Sequence, residues 1–308
     1  MTTLVTGASG LLGANLCLVA ADRGHQVAAV SNRTPVHVSP GVSVRLDLCE
    51  GEAVEEQISR LRPDLIVHCA ALTDVDACET DRARAFAVNA EATRGLAHAA
   101  VRVGARMVTV STDAVFDGEV GGYVEGDQTA PVNVYAESKL AGERGTLDAS
   151  PDHLVVRTTL FGWNAQPKRS LAEWVLARLE SGDRVPGFTD AVFAPLEAST
   201  LGGLLLDLAE GGATGVWHLG SCDGVTKYDF ARTVATVFGF DPDRVDEARM
   251  HDVDFRAMRP PRTALDSRRA AAHLGRDLPT VADGIRRMRA LRNSGWVDRL
   301  SASVTPSF

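Results

Sequence analysis

The chain has 308 residues, of which 45% are hydrophobic and 23% are charged, and its formal net charge at pH 7 is −8. The length suits one large α/β unit with a smaller second part, and no apolar run reaches the roughly 18 residues that a membrane span needs. The acidic balance argues against a nucleic-acid-binding protein, because the chain and a phosphate backbone repel each other.

Three further classes are excluded by simple patterns. No charged segment followed by an apolar stretch and a cleavage site opens the sequence, so we expect a cytoplasmic protein without membrane association. The five cysteines contain no C-x-x-C pair and the eight histidines are scattered, so neither a disulfide framework nor a metal site is expected. The oligomeric state stays open, with a homo-oligomer as one option.

Short apolar runs rich in β-branched residues alternate with Ala-rich segments in the first half, which is typical of βα units. Predicted strands cover residues 3–6, 26–31, 43–46, 65–69, 107–111 and 154–157, and predicted helices cover 10–23, 51–60, 81–104 and 134–145. Beyond about residue 161 the alternation is less regular, with helices predicted at 169–181, 198–210, 228–238 and 282–293, a strand at 216–219 and a disordered tail at 301–308.

This order of elements predicts an α/β fold built on a Rossmann-type doubly wound parallel sheet. We expect residues 1–165 to form a dinucleotide-binding domain. Residues 166–308 are expected to form a smaller substrate-binding α/β lobe, partly interleaved with the last elements of the sheet.

A glycine-rich segment separates the first predicted strand from the first predicted helix. Gly7, Gly10 and Gly13 follow a G-x-x-G-x-x-G pattern, with Ser9, Leu11 and Leu12 between them. Such glycines allow a tight turn, a close approach of the backbone to a pyrophosphate and close packing of helix on strand. The segment therefore predicts a dinucleotide site, although a glycine-rich turn without a ligand is the alternative.

The residues after the second predicted strand bear on the choice of dinucleotide. An NAD-selective protein normally offers a carboxylate there, whereas this chain has Ser31, Asn32 and Arg33. These side chains suit a 2′-phosphate, so we expect NADP(H), with NAD(H) as an alternative and an exposed surface arginine as the other interpretation of Arg33. Asp47, followed by Leu48, is a candidate for contacting adenine or for capping a helix.

A phenol and an ammonium stand four residues apart at Tyr135 and Lys139, which places them on one face of a helix. The ammonium is expected to lower the tyrosine pKa, so that Tyr135 can exchange a proton with a carbonyl or hydroxyl oxygen. Thr112, at the end of a predicted strand, can orient that oxygen, with Ser111 as the alternative hydroxyl. A solvated Tyr/Lys pair and a plain strand-ending cap are the competing interpretations.

Together with the glycine segment, residues 68–71, 87–93, 111–118 and 131–139 resemble the extended short-chain dehydrogenase/reductase family, and within it the dTDP-4-dehydrorhamnose reductases. The likeness runs to about residue 162 and returns weakly at 259–266. It implies a catalytic triad of Thr112, Tyr135 and Lys139, with Lys139 also holding the nicotinamide ribose. It further implies that Ala70 and Ala71 line the cofactor channel and that residues 157–162 lie near nicotinamide and substrate.

The sequence departs from the family pattern in two places. Dehydratases of this family follow the catalytic threonine with Asp-Glu, whereas here Asp113 is followed by Ala114, which disfavours water elimination. The reductases tend to carry Ser-Trp after an Arg-Thr pair, whereas here Arg157 and Thr158 are followed by Thr159, which indicates a different sugar pocket.

Substrate contacts are expected from several side chains near these motifs and in the second half. The predicted set is Thr73, Asp113, Phe161, Trp163 and Arg259. Further cations that could bind a nucleotide diphosphate, and an aromatic ring that could stack on a base, are Lys168, Arg169, Lys227, Arg256, Arg262 and Phe188.

Three hypotheses for function follow. The first is NADPH-dependent reduction of a keto group on a nucleotide-linked deoxy sugar. The second is a sugar-nucleotide C4 epimerase with bound NAD, against which the missing acid near Arg33 speaks. The third is an NADP-binding regulatory subunit without turnover, against which the presence of all three triad residues speaks.

Overall fold

The computed structural model describes residues 1–304, and its centre is a parallel β-sheet. Within those residues the strands are β1 (Thr2–Thr6), β2 (Gln26–Ser31), β3 (Gly41–Arg45), β4 (Leu65–His68), β5 (Arg106–Thr112), β6 (Leu154–Thr158), β7 (Leu160–Phe161), β8 (Val185–Phe188), β9 (Val192–Phe193), β10 (Leu196–Glu197), β11 (Gly215–Leu219), β12 (Val225–Thr226) and β13 (Val245–Ala248). The predicted strands of the first half are all confirmed within two residues at each end, because each is an apolar run bounded by turn residues.

Helices alternate with these strands. Over the same described part of the chain they are α1 (Leu11–Asp22), α2 (Gly51–Leu61), α3 (Val75–Thr80), α4 (Arg82–Phe86), α5 (Ala92–Val103), α6 (Val134–Ala149), α7 (Leu171–Glu180), α8 (Ala198–Glu210), α9 (Lys227–Phe238), α10 (Arg268–Leu274), α11 (Val281–Asn293) and α12 (Trp296–Ser303). None of the helices within residues 1–304 combines the length and the apolar character that crossing a bilayer requires.

The central sheet has seven strands in the order β11-β6-β5-β4-β1-β2-β3, and every neighbouring pair is parallel. The chain moves outward from β1 through β2 to β3, and then returns to build the other half from β4. This reversal between β1 and β4 is the topological switch point at which open α/β sheets bind ligands. The predicted Rossmann-type doubly wound fold is therefore confirmed.

Two helical layers cover the sheet, which explains why β4 and β6 are buried along their whole length. On one face α1 packs against α8 over an apolar cluster, and on the other α5 packs between α2 and α6. Both α8 and β11 come from the part of the chain after residue 165 but belong to this sandwich. The domain boundary at residue 165 thus stays a prediction. The later part of the chain contributes to the central sandwich from α8 onward.

A separate apolar cluster forms the core of the smaller lobe. It joins α7, α9 and α11 and contains the fully buried rings of Phe161 and Phe230, which meet edge to face with centroids 5.0 Å apart. A capping box at Ser170 and Glu173 fixes the start of α7, where the sequence predicted a helix from residue 169.

The predicted helix at 81–104 is wrong in one respect, because a π-helical turn at Ala87–Glu91 separates α4 from α5. The turn contains Asn89, whose amide accepts a hydrogen bond from the Leu72 N–H at 2.8 Å and donates to Ser138 Oγ at 2.9 Å. Gly142 of α6 lies so close to this turn that a Cβ added to Gly142 would be 2.3 Å from the Asn89 carbonyl oxygen. The π turn thus places the Asn89 side chain where it links the loop after β4 to α6.

The predicted disordered tail at 301–308 is also wrong over its first part. Ser303 ends α12, and Val304 forms a bridge with Val36 beside the central sheet. The helix is anchored by Trp296, whose indole donates to Asn15 Oδ1 at 2.9 Å. Residues 305–308 lie outside the described residues.

Candidate active site

A cleft of about 810 Å³ opens at the carboxyl ends of the central strands. The structure brings together in its walls every residue that the sequence predicted to bind a cofactor: Gly7, Ser9, Gly10, Leu11, Leu12, Gly13, Ser31, Asn32, Arg33, Asp47, Leu48, Ala70, Ala71, Tyr135 and Lys139. Thr112 and Thr73 line the same cleft. These residues come from several separate segments of the chain, which meet here because parallel strands end at the same edge of a sheet.

The glycine segment forms a tight cradle at the floor of the cleft. Gly7 has a φ of 62°, and a Cβ there would lie 2.7 Å from the backbone of Ala70. A Cβ on Gly13 would lie 2.2 Å from the Gly7 carbonyl oxygen. Gly10 is the N-cap of α1, and within residues 1–304 no side chain caps that helix end. The residues at this helix end, Gly10, Leu11 and Leu12, line the cleft, and the first N–H groups of a helix are where proteins bind phosphate.

The far end of the cleft is polar. Asn32 Nδ2 donates to Asp47 Oδ2 at 3.1 Å, and the Cys49 N–H donates to Asp47 Oδ1 at 3.0 Å. These hydrogen bonds, led by the one from Cys49, together with the nearby positive charge of Arg33, lower the pKa of Asp47. Asp47 therefore closes the turn that precedes α2, whose N-cap is Glu50.

The predicted triad meets at the centre of the cleft. Tyr135 and Lys139 lie one turn apart on α6, whose start is fixed by Asn133, a side chain that accepts from the Ala136 N–H at 2.9 Å. Thr112, the last residue of β5, hydrogen-bonds to the Tyr135 hydroxyl. The Lys139 ammonium is buried and donates to the Val110 carbonyl oxygen at 2.7 Å.

The protonation of the pair differs from the sequence-based expectation. Removal from water raises the pKa of Tyr135 to about 12, and the hydrogen bond from Thr112 opposes this shift only in part. The Tyr135 pKa is thus raised where the sequence predicted a decrease, and the Lys139 ammonium donates to the Val110 carbonyl. Burial also lowers the pKa of Lys139 to about 8, against the opposing effect of the Glu143 carboxylate.

Asp113 lies directly behind Thr112 and is buried. Its carboxylate accepts from Thr263 Oγ1 at 2.5 Å and from Thr112 Oγ1 at 3.3 Å. Burial raises its pKa to about 6, although these two hydrogen bonds and the positive charge of Lys227 act in the opposite direction. The side chain thus supports Thr112 from behind and is not among the residues that line the cleft.

The structure does not bring two of the predicted substrate contacts to the cleft. Phe161 is 1% exposed and packs against Phe230 in the core of the smaller lobe. Trp163 packs edge to face on Phe238, and its indole donates to the Met288 carbonyl oxygen at 2.7 Å. Both rings are used to build the lobe, because a large aromatic surface is stabilised most by burial.

The predicted cations divide into two groups. Lys168 and Arg169 line the cleft, and Lys168 Nζ donates to Thr73 Oγ1 at 3.3 Å. The others lie outside it: Arg259 pairs with Asp76 at 2.9 Å, and Arg256 donates to Thr80 at 2.6 Å. The remaining groups make other contacts. Lys227 stands over the ring of Phe188, Phe188 meets Phe255, and the backbone N–H of Arg262 donates to the Gly118 carbonyl.

Among the cleft-lining residues that the sequence analysis missed are Arg84, Asn164 and Gln166. Gln166 Nε2 donates to the Ser9 carbonyl oxygen at 2.6 Å, which fastens the loop after β7 across the glycine segment. No local motif marks these positions, because only the packing of distant segments brings them to the cleft. Residues 1–304 contain no group of three or more His, Cys, Asp or Glu side chains arranged to bind a metal ion.

Known proteins with similar sequences include several that are named reductases. The family described as the RmlD substrate binding domain matches residues 1–292. A Haloferax volcanii protein named probable low-salt glycan biosynthesis reductase Agl14 is 36% identical over 296 residues, covering 94% of this chain and 98% of that protein. A Mycobacterium tuberculosis dTDP-4-dehydrorhamnose reductase is 38% identical over 275 residues, covering 87% of this chain and 86% of that protein.

A solved structure is also similar over nearly its whole length. The crystal structure of a hypothetical dTDP-4-dehydrorhamnose reductase from Sulfolobus tokodaii superposes with a TM-score of 0.81 at 35% identity, covering 92% of this chain and 99% of that one. Fold, cleft and sequence therefore agree, and the chain belongs to the RmlD substrate-binding family.

Proposed function

We propose that this protein is an NADPH-dependent oxidoreductase that reduces a keto group on a nucleotide-linked deoxy sugar, in the manner of a dTDP-4-dehydrorhamnose reductase. The observation that carries the proposal is the meeting of Thr112, Tyr135 and Lys139 in the same cleft as the glycine cradle. The proposed proton donor, Tyr135, and the proposed dinucleotide site therefore share one cleft.

The cleft fits a dinucleotide. Side chains at Gly7 and Gly13 would collide with the backbone, and the uncapped start of α1 offers N–H groups to a pyrophosphate. At the far end, Ser31 and Asn32 offer hydrogen-bond donors and Arg33 a cation, which suits the 2′-phosphate of NADPH better than a free ribose hydroxyl. When bound, this cofactor supplies the hydride that the chain's own residues cannot.

Tyr135 is the proposed proton donor. With a pKa of about 12 its hydroxyl is protonated at neutral pH, so it can pass its proton to a carbonyl oxygen that becomes a hydroxyl. Thr112, which hydrogen-bonds to that phenol, is placed to orient the same oxygen. Lys139, one helical turn away, is the proposed cation beside the phenolate that is left behind.

The substrate class rests on the relatives and on the cleft. The Mycobacterium tuberculosis relative is named for the reduction of dTDP-4-dehydrorhamnose, and the Haloferax volcanii relative is also named a reductase. Lys168 and Arg169 line the cleft and provide the positive charge that a nucleotide diphosphate needs. Ala114 stands where a dehydratase carries its second acid, which supports reduction over elimination.

The two alternatives receive less support. A C4 epimerase that retains NAD would be expected to offer a carboxylate at the end of β2, where Asn32 and Arg33 stand. A regulatory subunit without turnover has no chemical need for Thr112, Tyr135 and Lys139 to meet in one cleft.

The test is oxidation of NADPH, followed at about 340 nm, the wavelength at which the reduced nicotinamide absorbs. Nucleotide-linked 4-keto-6-deoxy sugars are offered in a panel, with NADH in parallel. We expect turnover with NADPH, and a loss of about 10²–10⁴-fold in Tyr135→Phe, because that variant lacks only the proton donor. Equal turnover by Tyr135→Phe, or NADPH binding without oxidation across the panel, would contradict the proposal.

A further inference from the structure

A buried ion pair lies behind the face of α6 that carries Tyr135 and Lys139. Arg157 Nε donates to both carboxylate oxygens of Glu143, at 3.0 Å and 3.2 Å, and Arg157 Nη2 donates to Glu143 Oε2 at 2.8 Å. The two side chains are only 6% and 3% exposed. Removing two charges from water is costly, and it is offset only where the geometry is close and further hydrogen bonds satisfy both groups.

Glu143 stands in register with the catalytic residues. Tyr135, Lys139 and Glu143 are spaced by four along α6 and therefore share one face. Each contacts one of three successive residues of β5. Thr112 bonds to Tyr135, the carbonyl of Val110 accepts from Lys139, and Ser111 Oγ donates to Glu143 Oε1 at 2.5 Å.

Arg157 in turn fixes Glu143 from the next strand, β6. Its guanidinium stands over the ring of Phe116 at 5.2 Å, and Nη1 lies 3.5 Å from Nε2 of His218 on β11. His218 Nδ1 meets the Tyr123 carbonyl oxygen at 2.9 Å. The carboxylate is thus held by partners on β5 and β6, and the guanidinium by an aromatic ring and an imidazole.

Titratable side chains face Lys139 from three parts of the structure. Glu143 faces it from α6, His68 from β4 and Cys69 from the loop after β4. The pKa of His68 is lowered to about 3 and burial raises the pKa of Cys69 to about 12, so both are neutral at physiological pH. Glu143 therefore opposes the effect of burial on the pKa of Lys139, although it shares its charge with Arg157, the cation on β6 that binds it.

We propose that Glu143, clamped by Ser111 and Arg157, is a positioning residue that keeps Lys139 cationic and holds α6 in register with β5. The effect of Glu143 on catalysis rests on the proposed function. Its effect on the protonation of Lys139 does not. Glu143 lies one helical turn from Lys139 on the same face of α6, and an opposite charge at such a position moves a pKa by about 1–3. Loss of the carboxylate would leave at least about half of the Lys139 side chains neutral at pH 7.

The sequence provides a direct probe, because it contains only three lysines, Lys139, Lys168 and Lys227. In protein labelled with ¹³C at lysine Cε, each gives one resonance whose chemical shift reports protonation, and Lys168→Arg and Lys227→Arg samples assign them. We expect the Lys139 resonance to titrate near pH 8 in the wild type and about 1 or more lower in Glu143→Gln. An unchanged midpoint would overturn the proposal.

The matched control is Glu137→Gln, the same chemical change on the same helix. Glu137 is half-buried and pairs with Arg82 at 2.7 Å, and we expect this variant to leave the Lys139 midpoint where it is. An equal shift in both variants would show a general charge effect and would overturn a specific role for Glu143.

Two further measurements keep the outcome interpretable. If Glu143→Gln does not fold, because Arg157 is left as an unpaired buried charge, the double variant Glu143→Gln/Arg157→Met removes both charges and is expected to show the same fall in the Lys139 midpoint. Activity against pH supplies the second: the upper limb of the kcat profile should move to lower pH, with kcat recovering at about pH 6. A kcat that is reduced equally at every pH would indicate a merely structural role.

The NMR titration needs no substrate, so it can fail or succeed independently of the proposed function. If no ketone in the panel is reduced, the proposed function fails while the Lys139 titration still tests Glu143. If the wild type reduces a ketone and the midpoint does not move, the proposed function stands and the role of Glu143 falls.

Discussion

Replacing Gly13 by alanine places one methyl group between α1 and the turn that precedes it. A Cβ at that position would lie 2.2 Å from the Gly7 carbonyl oxygen and 2.8 Å from Ala8 Cα. A carbon and a carbonyl oxygen approach to about 3.3 Å at closest in ordinary contacts, so the start of α1 must move by about 1 Å. The colliding atoms are backbone atoms of a buried turn, which cannot rotate away.

Two consequences follow from this displacement. Overpacking of this kind costs about 1–3 kcal/mol of the free energy of unfolding. The N–H groups of Leu11 and Leu12 also leave the position from which they face the cleft, and a loss of about 1.4 kcal/mol in binding is a tenfold loss in affinity. We therefore expect Gly13→Ala to bind NADPH at least about tenfold more weakly than the wild type.

The assay is titration of NADPH by its fluorescence, alongside unfolding in urea. Gly95→Ala is the matched control, because Gly95 lies inside α5 on the protein surface, where an added methyl group would have no atom of another element in residues 1–304 within 4 Å. That variant should be more stable by about 0.5–1 kcal/mol, with NADPH affinity unchanged. Wild-type affinity and an unchanged urea midpoint in Gly13→Ala would refute the assignment of the glycine segment as a dinucleotide cradle.

Three other variants test separate parts of the site. Asp113 has a pKa of about 6 in the folded chain, against an ordinary value of 3.8, so the folded state binds its proton more tightly than the unfolded state does. The carboxyl therefore favours folding below about pH 4, where it is protonated, and opposes folding above about pH 6, where it is charged. Asp113→Asn should therefore gain stability relative to the wild type as pH rises from 4 to 8, by up to about 3 kcal/mol in urea unfolding, and a constant difference would contradict this. Arg33→Ala should weaken NADPH binding by about 10–100-fold and leave NADH binding unchanged, whereas an equal loss for both would exclude a 2′-phosphate contact. Phe161→Leu should lower the free energy of unfolding by about 1–3 kcal/mol without changing KM for the sugar, and a changed KM with normal stability would return Phe161 to the substrate pocket.

Much of the first half of the fold could be predicted from the sequence because its signals are local. Apolar runs such as 65–68 are continuous where a strand is covered on both faces, and the strand is found at Leu65–His68. The glycine spacing and the Tyr135–Lys139 spacing also lie within single turns or helices, so their meaning does not depend on distant residues. Every predicted cofactor-binding residue lines the cleft, because the segments that carry these residues meet where the parallel strands end.

The protonation of the site could not be predicted in this way. The sequence shows that Lys139 follows Tyr135 by four residues, but not that the ammonium is directed to the Val110 carbonyl. Burial depends on what the other elements cover, and it raises the pKa of Tyr135 where the local spacing predicted a decrease.

The sequence by itself determined the strands of the first half, the glycine cradle and the Tyr135–Lys139 spacing, since these depend on short-range patterns in the chain. The tertiary structure alone decided which side chains from remote segments reach the cleft. Gln166 meets Ser9 across 157 positions, whereas Phe161, next to the predicted motif, turns into the core of the smaller lobe. Contacts between residues far apart in the chain are set by how the layers pack, and no local spacing encodes which face of a segment that packing will bury.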